Sequence, residues 1–202
     1  MKPALSIILV NYHSGTFMYN CVQSIVQETV GVEYELILID NSPQDGAAKG
    51  LLQSFPQIKY QALPANEGFA RANNAGIALA KGEVILLLNT DTIIRQNAIG
   101  HCFERLQQNE ELIAAGVQLE YADGSPQVSG SFNLTGGLNF LMVIPYFGRM
   151  LRWLSMQIGV KKPSIAEAVS DTEVDWISGA FLMVKRSAIR QAGPLIQTFF
   201  VP

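Results

Sequence analysis

Residues 83–91, Glu83-Val84-Ile85-Leu86-Leu87-Leu88-Asn89-Thr90-Asp91, decide how the rest of the chain is read. Gly82 breaks the preceding segment, five aliphatic residues follow, and the run ends in a polar tripeptide closed by a carboxylate. A short apolar run bounded in this way predicts a buried strand, here the most apolar of the chain.

Three similar units precede it. Leu5-Ser6-Ile7-Ile8-Leu9-Val10 predicts a strand, and after the start signal Ser14-Gly15-Thr16 the apolar spacing predicts a helix over 17–27. Residues 34–40 (YELILID) predict a second strand, followed by the turn-rich 41–46 and a short helix over 47–55. Residues 58–62 predict a short strand, and residues 66–80 an Ala- and Asn-rich helix with Gly68 in its first turn. Strands alternating with helices at this spacing imply an α/β fold with a mostly parallel sheet and right-handed crossovers.

Ligands of such sheets bind beyond the carboxyl ends of the strands, where the strand order reverses. Asn11-Tyr12 closes the first strand, Asp40-Asn41 the second and Asn89-Thr90-Asp91 the fourth, so polar groups from three strands are expected on one edge. Asn89 and Asp91 project to the same side if extended geometry persists, and Asp91 then suits a hard cation that takes its other ligands from water and phosphate. The competing reading makes Asp91 the cap of a helix over 92–97, and the tripeptide alone favours that cap. Asp40 can accept from a nucleobase N–H or from ribose hydroxyls, or it can form an Asx turn with Ser42. The segment from Asn66 to Gly76 opens a helix whose free N–H groups suit anions or sugar hydroxyls, and its small residues serve helix–sheet packing equally well.

Composition narrows the function classes. At 202 residues the chain holds one α/β domain with a sizeable core, and with 49% hydrophobic and 15% charged residues it is expected to fold. A net charge of −3 without a basic run argues against nucleic-acid binding. Cys21 and Cys102 have no partner at metal-ligand spacing and read as buried thiols in a reducing compartment. The apolar N-terminal run is too short for a signal peptide and fits a strand. No phosphate-loop, nucleophile-elbow or His-Glu-x-x-His motif occurs, and His13 and His101 lack neighbouring ligands.

Beyond residue 121 the sequence becomes rich in Gly, Ser and Asn through 137, which predicts a long loop or hairpin. The stretch opened by Leu138 and closed by Val160 is strongly apolar, with Arg149 and Arg152 as its charges. Pro145 and Gly148 argue against a transmembrane helix, leaving a core- or partner-packing segment, with an interfacial membrane helix as the alternative. Residues 174–184 predict strand and turn, and 186–192 a short helix ending at Gly193-Pro194.

Taken together, Ser6-Ile7-Ile8-Leu9-Val10-Asn11-Tyr12, Ile39-Asp40-Asn41-Ser42, Asn66-Glu67-Gly68-Phe69 with Asn73-Asn74-x-Gly76, Leu88-Asn89-Thr90-Asp91-Thr92 and Trp176-Ile177-Ser178-Gly179-Ala180 resemble family 2 glycosyltransferases, in the rhamnosyltransferase-like branch. The resemblance implies a GT-A fold over a single domain 1–202, with a nucleotide-sugar-binding half at 1–121 and a partial acceptor half at 122–202. It implies inverting transfer of a sugar from a nucleotide donor, dTDP-rhamnose or a UDP-hexose, to a glycan or lipid-linked acceptor in polysaccharide and cell wall biosynthesis. By the same resemblance Asp40 contacts the base, Asn11 and Tyr12 line the nucleoside pocket, and Asn41, Gly68, Phe69, Asn73 and Asn74 lie beside the donor. Asp91 would hold Mg²⁺ or Mn²⁺, with Asn89 in place of a first Asp, and Trp176, Ser178 and Gly179 would form the acceptor-side loop.

The family places an acidic segment carrying the general base after the Gly-Pro turn, and the chain ends at Phe199-Phe200-Val201-Pro202 without one. The expectation is a truncated chain that binds donor and turns over poorly, located in the cytoplasm at the inner face of the membrane, with residues 138–160 as a peripheral contact. A nucleotidyltransferase and a noncatalytic interaction domain are the alternative readings. The first would want a basic residue in Asn11-Tyr12-His13-Ser14-Gly15, where none stands.

Overall fold

The computed structural model describes residues 2–131 and 171–195, in two compact units, 1–117 with 179–202 and the intervening 118–178. Residues 138–160 lie outside the described residues, so the expectation attached to them does too. In chain order the first unit supplies β1 (Leu5–Asn11), α1 (Gly15–Glu28), β2 (Tyr34–Asp40), a 3₁₀ turn (Pro43–Asp45), α2 (Ala47–Ser54), β3 (Lys59–Ala62), α3 (Phe69–Leu79), β4 (Val84–Leu88), α4 (Ala98–Gln108) and β5 (Ala114–Ala115). The second unit supplies β6 (Leu119–Glu120), β7 (Pro126–Gln127), β8 (Gly130–Ser131) and β9 (Trp176–Ile177). The first unit resumes with β10 (Phe181–Lys185) and α5 (Arg186–Ala192).

The sheet of the first unit has the order β3-β2-β1-β4-β10-β5. Strands β3, β2, β1 and β4 run parallel, and β10 runs antiparallel to both β4 and β5. The chain moves outward from β1 to β3 and then returns to the other side of β1 with β4. The order therefore reverses between β1 and β4, so the edge beyond Asn11 and Leu88 is the one at which sheets of this kind receive ligands.

Period-2 alternation assigns the core to two faces. Ile8, Ile37, Ile39, Ile85 and Leu87 form one buried cluster with Ala72 of α3. Gly76 lets α3 approach that face, because a Cβ there would stand 2.4 Å from Ile8 Cγ2. The alternate residues Leu5, Ile7, Leu9, Leu36, Leu38 and Leu86 are buried on the other face. On α1, Met18, Cys21, Val22 and Ile25 are buried at helical spacing. At the amino edge, buried Ser6 Oγ accepts from Lys81 N–H at 3.2 Å and Gly82 N–H at 2.8 Å, and donates to Glu35 at 2.6 Å.

Several expectations change. Residues 92–97 form no helix, so Asp91 caps none; the next helix, α4, starts at Ala98. Its amphipathic signal, Ile99, Cys102 and Leu106 on the buried side, was present in the sequence. Helix α3 starts at Phe69 rather than residue 66, because the backbone of Glu67 and Gly68 is held by asparagine side chains of the loop. In the second unit β6 and β7 form a hairpin whose turn places Gly124 at φ 82°. Among the described residues no helix is long and apolar enough to cross a membrane.

Candidate functional site

Asn11 and Asp40 are register partners at the carboxyl ends of β1 and β2. Asn11 Nδ2 donates to Asp40 Oδ1 at 2.8 Å, and Ser42 N–H donates to the same oxygen at 3.2 Å, which closes the Asx turn. Tyr60 of β3 donates its phenol to Asp40 Oδ2 at 2.9 Å. Asp40 is only 1% exposed, so a carboxylate that would be costly to bury alone is satisfied on both oxygens by three donors. Burial first, and then the bond to Asp40, push the Tyr60 phenol up to about 12.

The loop after β1 is tied to the loop after β2. Ser42 Oγ accepts from His13 N–H at 2.9 Å and from Asn11 Nδ2 at 3.3 Å, and donates to Asp45 at 2.9 Å. His13 Nδ1 stands 3.2 Å from the same Asp45 oxygen. The Ala47 N–H first, and then Ser42 and His13, hold the Asp45 carboxyl below its ordinary value against a smaller opposing effect of burial. His13 adopts φ 52°, a left-handed backbone that a β-carbon disfavours, and its ring packs 4.6 Å from that of exposed Tyr12. Asn11 Oδ1 accepts from Ser14 N–H at 3.1 Å, and Thr90 Oγ1 donates to Ser14 Oγ at 2.8 Å, joining the end of β4 to the same loop.

Asn41 organises the approach to α3. Its Nδ2 donates to Asn66 Oδ1 at 2.7 Å and its Oδ1 accepts from Glu67 N–H at 2.9 Å, while Gly68 N–H donates to Asn66 Oδ1 at 2.9 Å. Gly68, at φ 83°, turns the chain into α3, and Phe69 is exposed at the first helical position. Asn73, expected beside the donor, is 2% exposed and donates to Phe69 O at 2.9 Å. Asn74 has both polar atoms on the backbone of Leu195.

The strand β4 ends at Leu88, and Asn89 O accepts from Thr92 N–H at 3.3 Å and Thr92 Oγ1 at 2.6 Å. The extended geometry that would align Asn89 with Asp91 is therefore replaced by a hydrogen-bonded turn. Beneath the turn, burial first pushes the Cys21 thiol up to about 12, a nearby Asp91 charge adding to it. Asp91 is exposed, and its carboxylate has no hydrogen bond or ion pair among the described residues. Among the described residues no three His, Cys, Asp or Glu side chains come together to hold a metal. One exposed carboxylate at this edge fits a hard cation that keeps waters and binds phosphate oxygens, and does not fit an all-protein cage.

Sequence reasoning passed over Tyr60 and the Ser14–Thr90 link. The parallel register that pairs Tyr60 with Leu38 also puts Tyr60 on the face of Asp40, two residues on, and that register was the missing signal. Of the expected acceptor-side residues, exposed Trp176 lies on β9 and Ser178 N–H donates to Ser129 O at 2.8 Å, both in the second unit, while Gly179 begins the resumed first unit.

The chain is 26% identical to poly-beta-1,6-N-acetyl-D-glucosamine synthase of Staphylococcus epidermidis over 178 residues, which is 85% of this chain and 38% of that protein. It is 25% identical to glycosyltransferase GlyG of Streptococcus pneumoniae over 130 residues, 62% of this chain and 43% of that protein. The chain thus spans less than half the length of these relatives. A mannosyltransferase from Pyrobaculum calidifontis, solved with GDP-Man and Mn²⁺, superposes with a TM-score of 0.62 at 14% identity, covering 98% of this chain and 49% of that one. That likeness establishes the fold, which is GT-A. The model for glycosyl transferase family 2 matches residues 6–162, well over half of the sequence, and the chain belongs to that family.

Proposed function

We propose that the chain binds a nucleotide-diphosphate sugar at the carboxyl edge of the first unit and serves an inverting glycosyl transfer to a glycan or lipid-linked acceptor. The observation that carries this reading is that Asn11 and Asp40 close two neighbouring strands, and Asp91 lies in the turn just beyond the third, around the reversal of strand order. Family membership supports the reaction class, and the glycan synthases among the relatives support a polysaccharide or cell wall product. Within the reading, Asn11, Asp40 and Asn41 fix the loops that receive the nucleoside. Exposed Tyr12 and Phe69 offer it apolar surface, Gly68 gives its backbone close approach, and Asn73 and Asn74 act by holding α3 in place.

Asp91 would hold Mg²⁺ or Mn²⁺, with Asn89 shaping the turn that carries it, and the chemistry of such an ion is to neutralise the charge that develops on the departing diphosphate. The Mn²⁺ bound by the Pyrobaculum protein supports that choice of ion class. The donor belongs to the dTDP-rhamnose or UDP-hexose type, as in the rhamnosyltransferase-like branch, and the donor and acceptor halves divide near residue 121. Trp176, Ser178 and Gly179 belong to the acceptor side. Inversion requires a carboxylate that takes the proton of the attacking acceptor hydroxyl, and we assign that role to none of the described residues. The setting is the cytoplasm at the inner face of the membrane, where lipid-linked acceptors lie.

Calorimetric titration with UDP, dTDP and GDP, each with and without Mn²⁺, tests the reading. The expected outcome is nucleotide binding that weakens by about ten-fold or more without Mn²⁺ or in Asp91→Ala, the loss of one charge-assisted contact to a bound diphosphate. Failure of all three nucleotides to bind in the presence of Mn²⁺ would overturn it.

A further inference from the structure

At the site edge most polar groups are already spent. Asn11 is engaged through both polar atoms of its amide, Asn41 likewise, and Ser42 Oγ gives its proton to Asp45 while accepting two N–H groups. Asp40, the acid a nucleoside would be expected to meet, is 1% exposed with both oxygens occupied. Tyr60 differs. It is 41% exposed, and its single hydroxyl proton is donated to Asp40 Oδ2. A phenol whose proton is committed can serve any further partner only as an acceptor.

Position supports a role for that acceptor. Strand β3, which carries Tyr60, and β4, which leads to Asp91, are separated by β2 and β1. Three spacings of about 4.8 Å put the two strands roughly 14 Å apart, a distance comparable with the span of an extended nucleoside diphosphate. A diphosphate near Asp91 then leaves the nucleobase on the Tyr60 side, across the ends of β1 and β2.

We infer that Tyr60 is a specificity-determining residue of the donor site: held as an acceptor by Asp40, it selects nucleobases that present a ring N–H, which are uracil, thymine and guanine. Cytosine and adenine carry a bare acceptor at the matching ring nitrogen, so the two lone pairs repel instead of bonding. Asp40 is in this scheme a positioning residue that sets the polarity of the phenol. The inference rests on the donor-binding reading given above and adds to it the residue that reads the base.

The test is calorimetry on the full chain with Mn²⁺ and UDP, dTDP, GDP or CDP, for wild type and Tyr60→Phe, with circular dichroism as the folding control. Wild type is expected to bind UDP about ten-fold more tightly than CDP, the usual scale for one directional hydrogen bond. In Tyr60→Phe the ratio is expected to fall to about two-fold through loss of UDP affinity, CDP being little changed. In wild type labelled at tyrosine ¹³Cζ, one resonance, assigned to Tyr60, is expected to move with UDP and not with CDP, a readout that survives if the variant fails to fold.

Equal weakening of UDP and CDP in Tyr60→Phe would point to the ribose or to a purely structural role and would overturn the inference while leaving donor binding intact. So would equal affinity of wild type for UDP and CDP, or a Tyr60 resonance that answers both. Absence of binding by every nucleotide would overturn the donor reading itself.

Discussion

Asn74, in the middle of α3, bonds the backbone of Leu195 in both directions: its Oδ1 accepts from Leu195 N–H at 3.0 Å and its Nδ2 donates to Leu195 O at 3.1 Å. The pair imitates a strand bridge with a side chain standing in for one backbone, and it docks Leu195 onto α3. Asn74→Ala is expected to lower stability by about 1–2 kcal/mol in urea denaturation and to speed amide exchange at Leu195. Unchanged exchange at Leu195 would refute the docking role.

Two helical glycines provide a contrast. A Cβ on Gly76 would meet Ile8 Cγ2 at 2.4 Å, whereas one on Gly50 of α2 would meet nothing within 4 Å. Gly50→Ala is expected to stabilise by about 0.5–1 kcal/mol through helix propensity. Gly76→Ala is expected to lose about 1–3 kcal/mol, because β-branched Ile8 in a packed core has little room to move. Thermal melts of the two variants should shift in opposite directions.

The amino edge of the sheet is structural. Ser6→Ala leaves the buried N–H of Gly82 without its acceptor, while the N–H of Lys81 keeps Glu35 Oε1 at 2.6 Å, and is expected to cost about 1–3 kcal/mol. Ser6 and Asn11 bound opposite ends of β1, five residues and about 17 Å apart along the strand. Nucleotide affinity measured on folded Ser6→Ala should therefore match wild type within about two-fold, in contrast to substitutions at the carboxyl end.

Alkaline pH should expose the buried thiol. Cys21 is raised from 9.0 to about 12 in the folded protein, first by burial. The unfolded chain releases this proton above pH 9 and the folded chain holds it. The stability it contributes is thus fully present below pH 9 and is lost as pH rises toward 12, by roughly 4 kcal/mol at most. Tyr60, raised from 10.0 to about 12, acts in the same sense over a narrower window. Melting temperatures from pH 8 to 11 should fall less steeply in Cys21→Ala than in wild type; parallel slopes would refute the assignment.

The parts of the fold that could be read from the sequence are those fixed by neighbours in the chain. β1, β2 and β4 are apolar runs that each stop at a polar residue, so the ends of β1 at Asn11 and β2 at Asp40 fall where the sequence puts them, while β4 closes at Leu88 and Asp91 lies in the turn beyond it. The ends fixed by distant partners could not be read in this way. Helix α4 begins where Asn97, at φ 52°, accepts the N–H of Val30 from the far end of α1, a contact that no local pattern announces. Likewise Asp40 reads as an open carboxylate in sequence, because the phenol that occupies it arrives from β3, twenty positions on. The turn from Asn89 to Thr92 defeated the expected alignment of Asn89 with Asp91 through a threonine hydroxyl that folds back on the strand end.

Strand β10 pairs with β4, Phe181 opposite Leu88 through Lys185 opposite Val84, yet the whole of the second unit separates them in the sequence. On the ribosome, β4 is therefore synthesised long before the strand that covers it. Until Phe181 emerges, Val84 to Leu88 present five aliphatic residues on an open edge, the kind of surface that recruits strands from other chains. Nonsense fragments that end inside the second unit are therefore expected to aggregate rather than persist as soluble pieces.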